Sequence, residues 1–272
     1  MTNPTNGLKM QAASTEMGHN LLDETFTVVI PAYNEEERIG TTLQEMCEFI
    51  VENKLHWKVM VSIDGRDRTE EIVSSFSIRF PFVSSSRSLT RSGKGAALKR
   101  ALKYVDSKYL LTMDADGSVD LKNIIANLKF LNGNDVLIFS RYFVGNYIPA
   151  FRKFLSRGYN ILVRSLLGLR IRDTQSGYVA AESEPFVRAM NKVGVTNGFY
   201  YIILYYYLTE EKANIREIPI KYKHDNASKF SPTGMIIGGA VSLLAFRLRH
   251  SRFFKYIPKE LISLYYRKLR WI

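Results

Sequence analysis

A mostly parallel α/β sheet with helices on both faces is the fold class that three observations predict for this 272-residue chain. Between residues 26 and 140, short apolar runs alternate with stretches of helical periodicity. Polar motifs follow those runs at 31–35, 64–69, 114–118 and 140–141, the carboxyl ends of strands where such sheets bind ligands. The composition, 46% hydrophobic and 24% charged, is globular rather than disordered or fibrous.

FTVVI at 26–30 is β-branched and aromatic, which favours a strand, and 35–51 has helical periodicity with acids in its first turn. WKVMVSI at 57–63 is the second strand, followed by a helix over about 68–76. A weaker strand at 82–88 and a helix at 95–105 come next. YLLTM at 109–113 runs into an acidic corner, Asp114-Ala115-Asp116, before a helix over 121–131 and a strand over 135–140. In the second half, 149–169 reads as an amphipathic helix with Arg152, Lys153, Arg157 and Arg164 against a wide apolar face. A turn-rich segment (173–178), an aromatic helix (about 199–208), a strand (215–222) and helices over about 233–250 and 258–270 follow.

The formal charge of +12 is uneven: residues 247–272 hold eight Lys/Arg against one acid, Glu260. Interleaved there are Phe253, Phe254, Tyr256, Leu261, Tyr265, Tyr266 and Trp271, a mixture suited to an anionic membrane surface. A helix packed on the domain with a solvated basic face is the plainer alternative. Nucleic acid is disfavoured, since no RNA-recognition consensus or zinc-finger spacing occurs. The longest uncharged stretches, 193–209 and 230–246, have 17 residues each. As helices they would reach about 26 Å, short of the hydrocarbon core. The first 22 residues read as a polar, flexible tail without the basic-then-apolar order of a secretory leader. A single cysteine, Cys47, excludes an internal disulfide and points to a reducing compartment.

Asp114 and Asp116, one residue apart after a buried strand, suit a hard divalent cation with open positions for phosphate oxygens. A turn whose carboxylates cap the next helix would look the same. Arg91-Ser92-Gly93-Lys94-Gly95 opens a helix where backbone N–H groups and Lys94 can meet an anion, although a plain helix start fits equally. The four histidines are scattered, and no nucleophile-elbow motif supports a Ser/His/Asp site.

Val28-Val29-Ile30-Pro31-Ala32-Tyr33-Asn34-Glu35-Glu36, Asp64-Gly65, Gly93-Lys94-Gly95-Ala96-Ala97, Met113-Asp114-Ala115-Asp116, Ser140-Arg141-Tyr142 and Asp173-Thr174-Gln175-Ser176-Gly177 occur in one family's order. Over about residues 24–230 the chain resembles the inverting family 2 glycosyltransferases of the GT-A fold, specifically the dolichyl-phosphate mannose or glucose synthases. The resemblance implies a nucleotide-sugar donor (GDP-mannose or UDP-glucose), a dolichyl or polyprenyl phosphate acceptor and Mg²⁺ or Mn²⁺ as cofactor. Pro31, Tyr33, Glu35 and Asp64 would hold the nucleoside, with Lys94 in the donor set and Lys229 closing over the diphosphate. Asp114 and Asp116 would meet the ribose, the diphosphate and, with Ser118, the metal, and Arg141, Arg152 and Ser156 the lipid phosphate. Asp116, Arg141 and Arg152 would be the catalytic group.

That resemblance implies a GT-A domain over 23–230, with a nucleotide half (23–145) and an acceptor half (146–230), and the basic-aromatic composition suggests membrane-associating helices over 231–272. Peripheral attachment to the cytoplasmic face of a membrane is expected. A lipid phosphate, with a second pKa of about 6, is largely ionised at neutral pH and needs no general base. An acidic residue expected in the helix before Glu217-Ile218-Pro219-Ile220 is replaced by the uncharged run 199–208, which argues for such an acceptor. A saccharide acceptor and a non-catalytic membrane-docking protein on the same scaffold are the competing readings.

Overall fold

A computed structural model describes residues 21–141, 150–194, 199–221, 239 and 243–251, with backbone alone at 150–156. The strands are β1 (Phe26–Tyr33), β2 (Trp57–Asp64), β3 (Val83–Ser88), β4 (Tyr109–Thr112), β5 (Val136–Ser140), β6 (Val179–Glu182) and β7 (Ile215–Pro219). The helices are α1 (Ile39–Glu52), α2 (Thr69–Arg79), α3 (Lys94–Leu102), α4 (Leu121–Asn127), α5 (Ala150–Leu167), α6 (Ser183–Lys192) and α7 (Tyr200–Glu210). One seven-stranded sheet runs in the order β3-β2-β1-β4-β6-β5-β7. Every pairing is parallel except those of β6, which lies antiparallel between β4 and β5.

Each element expected up to residue 140 is present, with shifted ends. α1 starts at Ile39 rather than at residue 35 because Glu35 and Glu36 serve the neighbouring loop. The Glu36 N–H donates to Asp67 Oδ2 at 3.0 Å, and the Arg68 N–H donates to Glu36 Oε2 at 3.1 Å. The helix over 121–131 ends at Asn127 and continues as a 3₁₀ turn, Leu128–Leu131. β6 and α6 were not expected from the sequence: VAAE is too short for a period, and its strand is inserted antiparallel within the sheet. Of the expected C-terminal helices, 243–249 is helical and packs on α7 through Phe246 against Tyr206, with ring centroids 5.2 Å apart. The helix expected over 258–270 lies outside the described residues.

Alternation in the strands builds a core on each sheet face. Phe26, Val28 and Ile30 of β1 join Leu43, Trp57 and Phe139 on one side. Val29 faces the other side with Leu98, Val136, Phe186, Tyr200 and Tyr205. This strict period fixes strand register, since a one-residue slip would invert every face.

Gly95 lets α7 approach the first turn of α3: a Cβ there would stand 2.9 Å from the Cβ of Tyr200, which is 0% exposed and has no room to retreat. Helix propensity alone favours Gly95→Ala by roughly 1 kcal/mol. Overpacking reverses that sign, and we expect a net loss of about 1–2 kcal/mol in urea unfolding. An alanine variant as stable as the wild type would contradict this packing.

Candidate active site

Parallel register places Tyr33 of β1 beside Asp64 of β2, so the two strands end level. β4 ends one pairing past Val28, at Thr112 beside Val29, and the Met113 N–H continues to the Val29 carbonyl at 3.1 Å. Its trailing Asp114 and Asp116 therefore lie on the same carboxyl edge as the ends of β1 and β2, and β5 ends there at Ser140 before Arg141. The four polar motifs thus converge because the strands that carry them are neighbours or near-neighbours in one sheet.

On the nucleotide side, Asp64 is a buried junction. Its Oδ2 accepts from the Ser92 N–H at 2.7 Å and the Ser92 hydroxyl at 2.6 Å, while Oδ1 accepts from Arg100 Nη2 at 2.6 Å. Asp64 therefore fixes the 92–94 loop and is 2% exposed. Glu35 forms an ion pair with Arg38 at 2.5 Å, and its N–H donates to Thr69 Oγ1 at 2.9 Å. Pro31 is buried within β1, whereas Tyr33 is exposed and carries the Arg91 guanidinium 4.5 Å above its ring. Gly65 has φ +109 and touches the Asn34 side chain so closely that any Cβ would collide with it.

Lys94, the first residue of α3, places its Nζ on Asp114 Oδ1 and lies 5.5 Å from the Tyr201 ring centroid. Burial works against the ammonium, but Asp114, with Tyr201 and Asp116, outweighs it and holds Lys94 above the usual lysine range. Gly177 is packed against this pair: a Cβ there would stand 2.7 Å from Asp114 Oδ1 and 3.1 Å from Lys94 Nζ. Asp116 Oδ1 accepts from the Ser118 N–H at 3.0 Å and the Tyr178 hydroxyl at 3.3 Å. Ser118 Oγ is buried with no hydrogen-bond partner. Two half-buried carboxylates and an orphaned hydroxyl are hard oxygen donors that fit Mg²⁺ or Mn²⁺. Among the described residues no three His/Cys/Asp/Glu side chains cluster to enclose an ion, so the protein offers a partial shell.

On the opposite side, Arg141 grips Asp173. Its Nε and Nη2 reach the two carboxylate oxygens at 2.9 Å each, and its backbone N–H reaches Oδ2 at 3.0 Å. Asp173 begins a strap, 173–177, tied to five elements, β7 among them through Glu217. Thr174 bonds to Asn160 of α5, Ser176 Oγ donates to the Phe139 carbonyl, and the Gly177 carbonyl accepts from Thr112 Oγ1. From α7, the Tyr205 and Tyr201 hydroxyls donate to the Ser176 and Gly177 carbonyls at 2.8 and 3.1 Å. Burial keeps these phenols above their ordinary pKa, with Lys94 opposing that shift at Tyr201. They are neutral donors, not bases. Arg152 and Ser156 lie four residues apart in α5, but their side chains, like Lys229, lie outside the described residues.

The expected Asp114 and Lys94 meet at this edge and Arg141 stands after β5, but partners such as Arg100, Tyr178 and Glu217 were not singled out in the sequence. Only the acid and base types flanking the strand ends hinted at them.

The profile of Glycosyl transferase family 2 matches residues 27–187, and the chain belongs to that family and is a glycosyltransferase. A dolichyl-phosphate beta-glucosyltransferase of Dictyostelium discoideum is 27% identical over 265 residues, covering 90% of this chain and 80% of that protein. The Homo sapiens dolichyl-phosphate beta-glucosyltransferase is 26% identical, covering 82% and 75%. The fold is shared with glucosyl-3-phosphoglycerate synthase of Mycobacterium tuberculosis, solved with Mn²⁺, uridine diphosphate and glucosyl-3-phosphoglycerate. That match has a TM-score of 0.62 at 16% identity and covers 84% of this chain and 81% of that one. It confirms the GT-A architecture.

Asp64→Ala should cost about 3 kcal/mol in urea unfolding, because Arg100 and Ser92 lose a buried partner together. A residue that touched only the nucleoside would instead weaken uridine diphosphate binding without changing the unfolding midpoint.

Proposed function

We propose that the chain transfers glucose from UDP-glucose to dolichyl phosphate, or another polyprenyl phosphate, at a membrane surface. The observation that carries this reading is the pairing of a fixed arginine, Arg141, with an α7 that offers only neutral tyrosines where a base would stand. An acceptor that arrives ionised needs orientation and charge neutralisation, not deprotonation. The relatives named beta-glucosyltransferases favour glucose over mannose, and the uridine diphosphate in the structural neighbours favours a uridine donor.

Residue roles follow from placement. Tyr33, with Pro31 and Asp64, frames the nucleoside, and Glu35 braces the loop beside it. Asp116 and Ser118 would hold a divalent ion, with Asp114 shared between that ion and Lys94. When bound, the ion neutralises charge gathering on the departing diphosphate. Lys94 supplies a second, permanent cation at that edge, and Lys229 would add another. Arg141, with Arg152 and Ser156 on α5, would orient the acceptor phosphate for attack on the face opposite the leaving group, giving a β-linked product. The protein thus separates two anions by cations and holds them in line.

Attachment is proposed to be peripheral and on the cytoplasmic face. No helix among the described residues is long and apolar enough to cross a membrane. α5 exposes Ile161 at 61% and Leu162 at 40% beside exposed Arg157 and Arg164, and an open depression of about 410 Å³ is lined by Ile161, Arg164, Ser165, Gly168 and Leu169. The helix at 243–249 repeats the mixture with Leu244, Leu248, Arg247 and Arg249. Apolar side chains flanked by cations suit an anionic lipid interface.

Incubation with a panel of labelled nucleotide sugars, a polyprenyl phosphate and Mn²⁺ tests the reaction. Label from UDP-glucose should enter the organic phase, and Asp116→Ala should lower that rate by about 100-fold or more. No lipid-linked label from any donor would refute the assignment. For the interface, Arg157→Glu with Arg164→Glu should weaken binding to anionic vesicles about tenfold or more while leaving uridine diphosphate binding intact. Vesicle binding indifferent to these changes and to salt would contradict the docking face.

A further inference from the structure

Glu217 of β7 has no role in the account so far, yet it is placed with care. Its Oε1 accepts from the Asp173 N–H and its Oε2 from the Arg172 N–H, both at 2.9 Å. A single carboxylate thus holds two consecutive backbone amides and sets the peptide that presents Asp173. Asp173, 0% exposed, then takes the Nε and Nη2 edge of Arg141 in a two-point fork. Such a fork fixes the guanidinium plane and directs its Nη1 end away from Asp173. The contacts form one unbroken chain from β7, through the start of the strap, to the arginine after β5. β7 pairs directly with β5, and the Ile220 N–H returns to the Ser140 carbonyl at 3.1 Å, so both ends of the chain rest on the same pair of strands.

We propose that Glu217 is a positioning residue for the acceptor: through Asp173 it sets the angle at which Arg141 meets an anionic phosphate group. This rests on the reading of Arg141 as an acceptor-phosphate ligand. Asp173 alone pairs with the guanidinium, while both Glu217 oxygens are spent on backbone amides. Glu217 contacts backbone and Asp173 contacts the cation, so the second carboxylate adds orientation rather than neutralisation. The hydrogen bonds on Asp114 and Asp116 come from Lys94, the Ser118 N–H and Tyr178 rather than from Glu217, Asp173 or Arg141, so loss of Glu217 is expected to affect the acceptor more than the donor.

Glu217→Gln replaces one accepting oxygen with a donor that faces an N–H. Two readouts test the proposal on the full chain in detergent. In ¹⁵N spectra the Arg141 Nε–H, assigned by its loss in Arg141→Lys, should be protected in the wild type and broadened in Glu217→Gln. By calorimetry, the Kd for a short-chain prenyl phosphate should rise roughly tenfold, the order expected for one lost charge-assisted hydrogen bond, while the Kd for uridine diphosphate stays within about twofold. If Glu217→Gln does not fold, Glu217→Asp keeps the charge but withdraws it by one methylene, and the same readouts should move by about threefold. An unchanged Arg141 resonance and acceptor Kd would overturn the proposal, as would equal weakening of donor and acceptor, the mark of a purely structural role. A wild type with the protected resonance but no affinity for prenyl phosphate would overturn the acceptor reading and this role with it. The resonance distinguishes that failure from a failure of the contact chain itself.

Discussion

On the proposed reading, mutual repulsion between two anionic reactants is the constraint around which the carboxyl edge of this sheet is arranged. At that edge three cations are held by carboxylates: Lys94 on Asp114, Arg100 on Asp64, Arg141 on Asp173. A free lysine or arginine would wander with its long side chain and lose rotamer entropy on binding. A paired one is already ordered. The cost is partial neutralisation, which suits a site that must attract a phosphate and then release a charged product.

The strap 173–177 links the two halves of the site. Its first residue holds the arginine beyond β5, and its last is packed against the Lys94–Asp114 pair beyond β4. Between them, bonds from α5, α7 and the β5 backbone leave the strap no freedom to shift independently. The separation of Asp114 and Asp116 from Arg141 is therefore set by covalent length and by the antiparallel insertion of β6, which begins one residue after the strap. α7 contributes hydroxyls to this frame instead of a base, and burial keeps those hydroxyls protonated.

Much of this was legible in the sequence because it depends on local pattern. The short apolar runs became β1, β2, β4 and β5, and the motifs after them lie together because strand ends in a parallel sheet share one edge. Asp114, Asp116 and Arg141 were singled out in that way, and Lys94 as the start of a helix. What was not legible is pairing across distance. Nothing near Asp64 announces that Ser92 and Arg100 will occupy it, and Glu217 lies 44 residues from the amide it holds. β6 escaped notice because three small apolar residues and a glutamate carry no period, and α6 because it follows that strand without a break.

The claim on which the account turns is that the attacking oxygen arrives already ionised. The direct measurement is the initial rate of glucose transfer from UDP-glucose to a polyprenyl phosphate against the rate to the polyprenol of the same chain length. The account predicts transfer to the phosphate alone, with the alcohol at background. Comparable transfer to the alcohol would mean that the protein supplies a base after all, and the account would be wrong.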